Sequence, residues 1–301
     1  MKLTRLADIY ELIRPLDKKN LVAVNAIDEH SLTAIADAVR LNIINAIITG
    51  DRSEILKQCE ELQIDPALFQ IIHVSNEVEA AEVSVRMVKS LSGGILMKGM
   101  INSNKYLKAI LDKKVGLLPE GGILSHVSVI DNANYHKLLM VSDVAVIPNP
   151  TIPQKIAMAH YLKQMALMFG IEKPKIAIIA PTELIIPSLV STTDAVELMK
   201  EAQKGTFEPA IVYGPMALDV ALDGESAQIK NITSEVAGDA DCLLFSNIDS
   251  GNIFYKVNTK LCKADQAAIV MGGNVPMILS SRGDNKQTKL NSIALAALLS
   301  K

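Results

Sequence analysis

The chain has 301 residues, 49% of them hydrophobic and 21% charged, with a formal net charge of −3. That balance buries a sizeable core and excludes a disordered chain, and the slight acidity gives no general pull toward nucleic acid or an anionic membrane. Three cysteines (Cys59, Cys242, Cys262) without CxxC spacing exclude a full disulfide framework and fit a reducing compartment.

The opening Met1-Lys2-Leu3-Thr4-Arg5-Leu6-Ala7-Asp8 lacks the apolar stretch of a signal peptide. No run reaches the ~18 apolar residues that span a bilayer, so a soluble, cytoplasmic protein is expected. Apolar runs at 21–27, 45–49, 70–75 and 95–98 read as strands, and helical periodicity fills 32–41, 52–62 and 78–91 between them. Continuous apolar strands alternating with helices predict a parallel sheet covered on both faces, an α/β protein. Pro148-Asn149-Pro150-Thr151-Ile152-Pro153 marks a sharp turn before a helix over 154–169, where Met158, Tyr161, Leu162, Met165 and Phe169 form an apolar face. Such a face serves core more readily than a subunit interface. The beat resumes with a strand at 175–180, a helix at 193–203 and strands at 210–213 and 242–246, in which Cys242 reads as core. Pro215 suits the first position of a helix opening at Gly214.

Toward the C-terminus, 267–271 and 276–279 read as strand segments around Gly272-Gly273-Asn274, and Leu290, Ile293, Ala294, Ala297 and Leu298 recur at helical spacing. Asp284 with Gln287 three residues on forms a plausible capping box. Ser281, Arg282 and Gly283 then lie between a strand end and a helix N-terminus, where free backbone donors, the helix dipole and a guanidinium together suit an oxyanion such as phosphate. The bland alternative is a capping serine beside a solvated arginine.

Other polar residues carry two readings each. Asn252 and Lys256 stand four apart on a predicted helix that Asp249 or Ser250 could cap; they form either an anion-binding pair or a structural Asn beside an exposed Lys. Lys98-Gly99 ends an apolar strand, the end at which α/β sheets hold ligands. The five histidines show no metal-ligand spacing, so no metal site is expected, and His126 reads as a buried structural residue before a cleft residue. Neither a GxGxxG nor a GxxxxGK[ST] motif occurs.

Several of these segments, taken in order, resemble the phosphate acetyl/butyryltransferase family, its butyryl branch more closely. They are Ile95-Leu96-Met97-Lys98-Gly99, Leu124-Ser125-His126-Val127, Asn149-Pro150-Thr151, Val236-Ala237-Gly238-Asp239-Ala240-Asp241, Ser250-Gly251-Asn252-Ile253-Phe254-Tyr255-Lys256, 276–282 and Leu290-Asn291-Ser292-Ile293-Ala294-Leu295. The resemblance covers nearly the whole chain and is weakest over the first forty residues. It implies an isocitrate/isopropylmalate-dehydrogenase-like pair of three-layer α/β domains with a cleft between them, the last helix returning to the first domain. The expected domains are 1–135 with 284–301, and 136–283.

The implied reaction is acyl-CoA plus inorganic phosphate giving acyl phosphate plus CoA, with butyryl favoured and acetyl the alternative. Arg282, Ser281 and Lys256 are then the catalytic candidates, with Asn252, Lys98 and Gly99 at the substrates. Coenzyme A is substrate and product, and no cofactor is implied. In the acetyl branch an Asp stands six residues after the matching Arg and is thought to act as a base; here that position is Thr288. The family further implies a homodimer or higher homo-oligomer. An NAD-dependent dehydrogenase on the same scaffold and a non-catalytic CoA- or phosphate-binding module are the rival readings.

Overall fold

Short polar side chains take the backbone donors that the first turn of a helix leaves over, and in this chain they fix where most helices start. In the computed structural model, which describes residues 2–281 and 283–300, the chain runs α1 (Ile9–Ile13), β1 (Lys19–Val24), α2 (Glu29–Arg40), β2 (Ile44–Gly50), α3 (Arg52–Glu61), β3 (Phe69–His73), α4 (Glu77–Ser90), β4 (Gly94–Lys98) and α5 (Ser103–Ile110). It continues through β5 (Ser125–Asp131), β6 (Leu139–Ser142), α6 (Ile152–Met168), β7 (Lys175–Ile179), α7 (Val190–Gln203), β8 (Ile211–Met216), α8 (Leu218–Leu222), α9 (Gly224–Ile229), β9 (Cys242–Leu244) and α10 (Ile248–Lys260). Then follow β10 (Asp265–Met271), β11 (Met277–Ile278) and α11 (Lys286–Leu299). Asp28, Asp51, Asn76, Asn102, Asn247 and Asn285 each accept from a first-turn N–H. At α6 the Gln154 side chain accepts from the N–H of Thr151 at 2.8 Å.

By packing, the chain divides into two compact units, 7–124 with 267–301 and 1–6 with 125–266. The sequence reading put the crossings at 135/136 and 283/284; here they fall at 124/125 and 266/267. β5 and β6 form an antiparallel pair that a cut at 135 would divide, and β10 pairs antiparallel with β11.

In the first unit, 7–124 with 267–301, the strands order β3-β2-β1-β4-β11-β10. All pairings are parallel except that of β10 with β11. The chain runs outward from β1 to β2 and β3, then crosses back to β4 on the other side of β1. With right-handed crossovers this puts α2 and α3 on one face and α4 on the other. The β1/β4 boundary is therefore a topological switch point. Leu21, Val22, Ile95, Leu96 and Met97 are wholly buried, as a sheet covered on both faces requires.

Helix α11 is buried around its whole circumference from Thr288 to Ala297. Its polar residues are satisfied. Ser292 Oγ donates to the Thr288 carbonyl at 2.7 Å and accepts from the Ala268 N–H at 2.9 Å, and Asn291 Oδ1 accepts from the Tyr10 hydroxyl at 2.7 Å.

In the second unit, 1–6 with 125–266, the order is β5-β6-β9-β7-β8, with β6, β9, β7 and β8 parallel. Met158, Leu162, Met165 and Phe169 of the α6 face are fully buried, so that stripe is core. Cys242 is core as well, and burial pushes its thiol up. Pro215 does not open a helix. Gly214 and Pro215 lie inside β8 with a cis peptide between them, and α8 starts only at Leu218. Gly251 on α10 sits against the Asp143 carbonyl, where an added Cβ would stand only 2.1 Å away. No helix among the described residues is long and apolar enough to cross a membrane.

A charged cluster ties the β5–β6 connection to the loop before β9. Asp239 accepts from Lys175 at 2.6 Å, His136 at 2.7 Å and Lys137 at 2.9 Å, while Lys137 also pairs with Asp241 at 2.8 Å. Burial opposes ionisation of Asp239, but hydrogen bonds from Lys175, Lys137 and His136 outweigh it and hold its carboxyl well below the ordinary 3.8. A carboxyl depressed in the folded state contributes stability that is present above its unfolded value and lost as pH falls below it. Asp239→Asn should cost about 1 kcal/mol at pH 7, discounted for the exposure of the cluster. In urea melts at several pH values that cost should shrink as pH falls below about 3.8; a cost that persists undiminished well below that value refutes the assignment.

Candidate active site

The C-terminal ends of β1, β4 and β11 are aligned, with Val24 opposite Lys98 and Met97 opposite Ile278. Asn25, just past β1, adopts a left-handed conformation at φ 50 and donates from its side-chain amide to the Met100 carbonyl at 2.8 Å. The N–H of Gly99 donates to the Val24 carbonyl at 2.9 Å. A Cβ on residue 99 would come within 2.7 Å of the carbonyls of Val24 and Asn25 and of the Ala26 Cα. Glycine is required there because two backbones meet at the switch point. Lys98 is 3% exposed at the end of β4, and its ammonium donates to the Gly99 carbonyl at 3.3 Å.

Beyond β11, Ser280 is buried, Ser281 is exposed, and Arg282 lies outside the described residues. The loop differs from the sequence expectation in one respect that matters chemically. Asn285, not Asp284, caps α11, accepting from the Thr288 N–H at 2.8 Å. Gln287 turns forward to Asn291 instead of back to the cap. Asp284 is 2% exposed and folds back beneath the loop, where its carboxylate accepts from the Ser281 N–H at 2.7 Å. The Ser281 hydroxyl accepts from the Gly283 N–H at 3.3 Å. The Ser281 and Gly283 N–H groups are therefore already engaged by side chains of the same loop. Thr288 is buried at the start of α11.

Lys289, the next residue, has a role that sequence reading missed. It is 3% exposed, and its ammonium reaches Ser31 Oγ at 3.1 Å, Ser280 Oγ at 3.5 Å and Asp28 Oδ1 at 3.9 Å. Burial lowers its pKa from the ordinary lysine value, while Asp28 and Asp284 act in the opposite direction. The other Asp28 oxygen, Oδ2, is buried without a hydrogen bond among the described residues. The signal was present in the periodicity: Lys289 shares a helix face with Ile293 and Ala296, and a lysine on an apolar face needs a buried partner.

Lys98, Gly99 and Ser281 thus gather at one end of the first unit's sheet. Asn252 and Lys256 belong to the second unit, one turn apart on α10. The cap of α10 is Asn247, which accepts from the Ser250 N–H at 3.0 Å, and not Asp249 or Ser250. Asn252 donates to the Val144 carbonyl at 2.9 Å, holding α10 to the loop after β6. Lys256 is exposed and makes no hydrogen bond or ion pair among the described residues. His126 is buried; its backbone N–H donates to Asp143 at 2.9 Å and its ring meets Tyr255 edge-on.

Residues 74–297 match the family model described as phosphate acetyl/butaryl transferase. The chain belongs to this family. It is 37% identical to the phosphate butyryltransferase of Clostridium acetobutylicum over 97% of both chains. It is 36% identical to the phosphate acetyltransferase of Thermotoga maritima, over 97% of this chain and 99% of the other. Among solved structures, a branched-chain phosphotransacylase from Enterococcus faecalis superposes with a TM-score of 0.79 at 27% identity, over 94% of this chain and all of that one.

The cap assignment can be checked directly. Asn285→Ala should cost about 1 kcal/mol in urea denaturation, as loss of an N-cap does. A cost below about 0.3 kcal/mol would show that the first turn of α11 is held by something else.

Proposed function

We propose that this member of the phosphate acetyl/butyryl transferase family moves a short acyl group between CoA and inorganic phosphate, with butyryl favoured over acetyl. The observation that carries the reading is identity of more than a third, over nearly the full length, to relatives named for those two activities. Coenzyme A is then substrate and product, and the reaction needs no cofactor or metal. The near-equal identities leave acyl length open between the two branches. The dehydrogenase alternative draws no support from these relatives.

In this reading phosphate oxygen attacks the thioester carbonyl, the carbonyl oxygen takes up negative charge, and CoA departs as thiolate. An ordinary thiol pKa near ~8.5 makes that thiolate a fair leaving group without a strong general acid. Phosphate must be oriented and its charge offset. Arg282 serves as the clamp, because its fork matches two phosphate oxygens. Ser281 donates to phosphate or to the departing sulfur. Lys98 and Gly99 line the β4 end, and the buried ammonium adds positive potential where ligands of α/β sheets bind. Lys256, exposed and unpaired among the described residues, offers its charge to an anionic substrate, with Asn252 fixing the helix that carries it. The dehydrogenase-like pairing of domains about a cleft, a cytoplasmic setting and a homodimer or higher homo-oligomer belong to the same reading.

The test is release of CoA from butyryl-CoA that depends on phosphate and not on NAD, compared across acetyl, propionyl, butyryl and valeryl thioesters. Arg282→Ala should leave the fold intact and lower turnover about 10²–10³-fold, the scale for loss of one preorganised charge-stabilising group. Near-normal kcat and phosphate KM in that variant would remove Arg282 from the site.

With no carboxylate at 288, phosphate dianion attacks directly. The acid limb of the rate profile should then follow phosphate's second ionisation near about 6, and Thr288→Ala should be mild. Severe loss of kcat in Thr288→Ala, with folding and phosphate affinity kept, would show that the hydroxyl takes part in the chemical step. Thr288→Asp would bury a carboxylate near a dianionic substrate, so it should lower stability and raise phosphate KM together.

A further inference from the structure

We propose that Asn25 is a positioning residue for phosphate: it clamps the two peptide units that flank Met100 and so sets the Gly99 carbonyl to which the buried Lys98 ammonium is bound. This rests on the phosphate acyltransferase reading, in which Lys98 supplies positive charge at the end of β4, and names a residue that the reading did not include.

Asn25 stands where the parallel strands β1, β2 and β4 end side by side. Its N–H donates to the Thr49 carbonyl on β2 at 2.7 Å, and its carbonyl accepts from the Met100 N–H at 2.8 Å. Its side-chain amide donates to the Met100 carbonyl, also at 2.8 Å. One residue therefore grips the peptide on each side of Met100. The first of those peptides carries the Gly99 carbonyl, which accepts from the Lys98 ammonium at 3.3 Å and from the Ile101 N–H at 3.0 Å. A peptide unit is planar, so fixing its N–H fixes the direction of its carbonyl. A lysine side chain is long and flexible, and a carbonyl held in one place gives its ammonium a defined seat.

The backbone donors of this corner are themselves engaged. The N–H groups of Gly99, Met100 and Ile101 donate to the Val24, Asn25 and Gly99 carbonyls in turn. Positive charge at the corner comes from the Lys98 ammonium, so phosphate affinity depends on where that ammonium is held. The exits of β1 and β4 are also the topological switch point, where open α/β sheets take their ligands.

Backbone conformation alone does not account for an asparagine at this position. At φ 50 glycine would serve without strain. Room is left for the side chain: β2 ends in Gly50, where an added Cβ would stand 3.0 Å from Asn25 Oδ1. Gly99 clears the β4 side, since a Cβ there would meet the Asn25 carbonyl at 2.6 Å. What glycine at 25 could not supply is the donor to Met100.

The experiment measures CoA release from butyryl-CoA by wild type, Asn25→Gly, Asn25→Asp, Lys98→Met and the double variant Asn25→Gly with Lys98→Met, varying phosphate and acyl-CoA separately. If wild type releases no CoA in a phosphate-dependent way, the functional reading fails and this proposal falls with it. With wild type active, Asn25→Gly keeps the backbone conformation and removes the donor. Phosphate KM should then rise about fivefold, the scale of one lost hydrogen bond, with acyl-CoA KM unchanged within about twofold. Asn25→Asp sets a carboxylate oxygen against the Met100 carbonyl and should raise phosphate KM further. In the Lys98→Met background Asn25→Gly should add nothing, because a residue that acts through the ammonium has no effect once the ammonium is gone. A phosphate KM unchanged in Asn25→Gly, a rise matched by acyl-CoA KM, or equal rises with and without Lys98 each overturn the positioning role and leave the function standing. Should Lys98→Met fail to fold, Asn25→Asp decides: a selective rise in phosphate KM above that of Asn25→Gly supports the proposal, and one no larger overturns it.

Discussion

Everything in the first unit depends on parallel strands whose carboxyl ends stop at the same level. Register fixes this: Val24 faces Lys98, and Ile278 lies one residue earlier, beside Met97. From those ends the chain must turn away in different directions, which leaves backbone groups of β1 and β4 within touching distance. Gly99 is there because no side chain fits between its Cα and the Val24 and Asn25 carbonyls. Asn25 takes the left-handed conformation that closes the turn and secures Met100 with its side-chain amide. Once this corner is set, β4 ends at Lys98 beside the close of β11, and the loop bearing Ser280 and Ser281 follows.

Much of this was legible in sequence because burial on both faces leaves a simple mark. The apolar runs at 21–27, 45–49 and 95–98 mark β1, β2 and β4, the first running past the strand end at Val24, and the periodic segments between them are helices. Other features carried no local mark. β5 and β6 gain their stability from pairing with each other and from a charged cluster that joins residues about a hundred positions apart, Lys137 and Asp239 among them. Proline's suitability for a helix start misled at Gly214-Pro215, because its fixed φ also suits the strand it in fact occupies.

The β11–α11 loop shows how a correct motif can hide a wrong assignment of parts. Ser, Asp and Gln ahead of an apolar period do announce a helix, and α11 is there. Yet the residue that caps it is Asn285, one position later, which releases Asp284 to bind the Ser281 N–H from below. Capping statistics rank Asp and Asn together, so one-residue shifts of this kind are invisible to them. The shift has chemical consequences. A carboxylate beneath the loop adds negative potential there, and a positive charge close by offsets it.

Helix α11 holds that charge in its first turn. Thr288 and Lys289 are both buried, and the lysine sets an ammonium beside Asp28. Relative to a chain with Asp at 288 and an apolar residue at 289, the same turn is more positive by about two charges, counted at ordinary side-chain pKa values. Lys289 offsets Asp28, its ammonium 3.9 Å from Oδ1, and the Asp284 carboxylate is engaged by the Ser281 N–H. In the proposed reaction, a carboxylate base at 288 would compete with phosphate for the same positive groups.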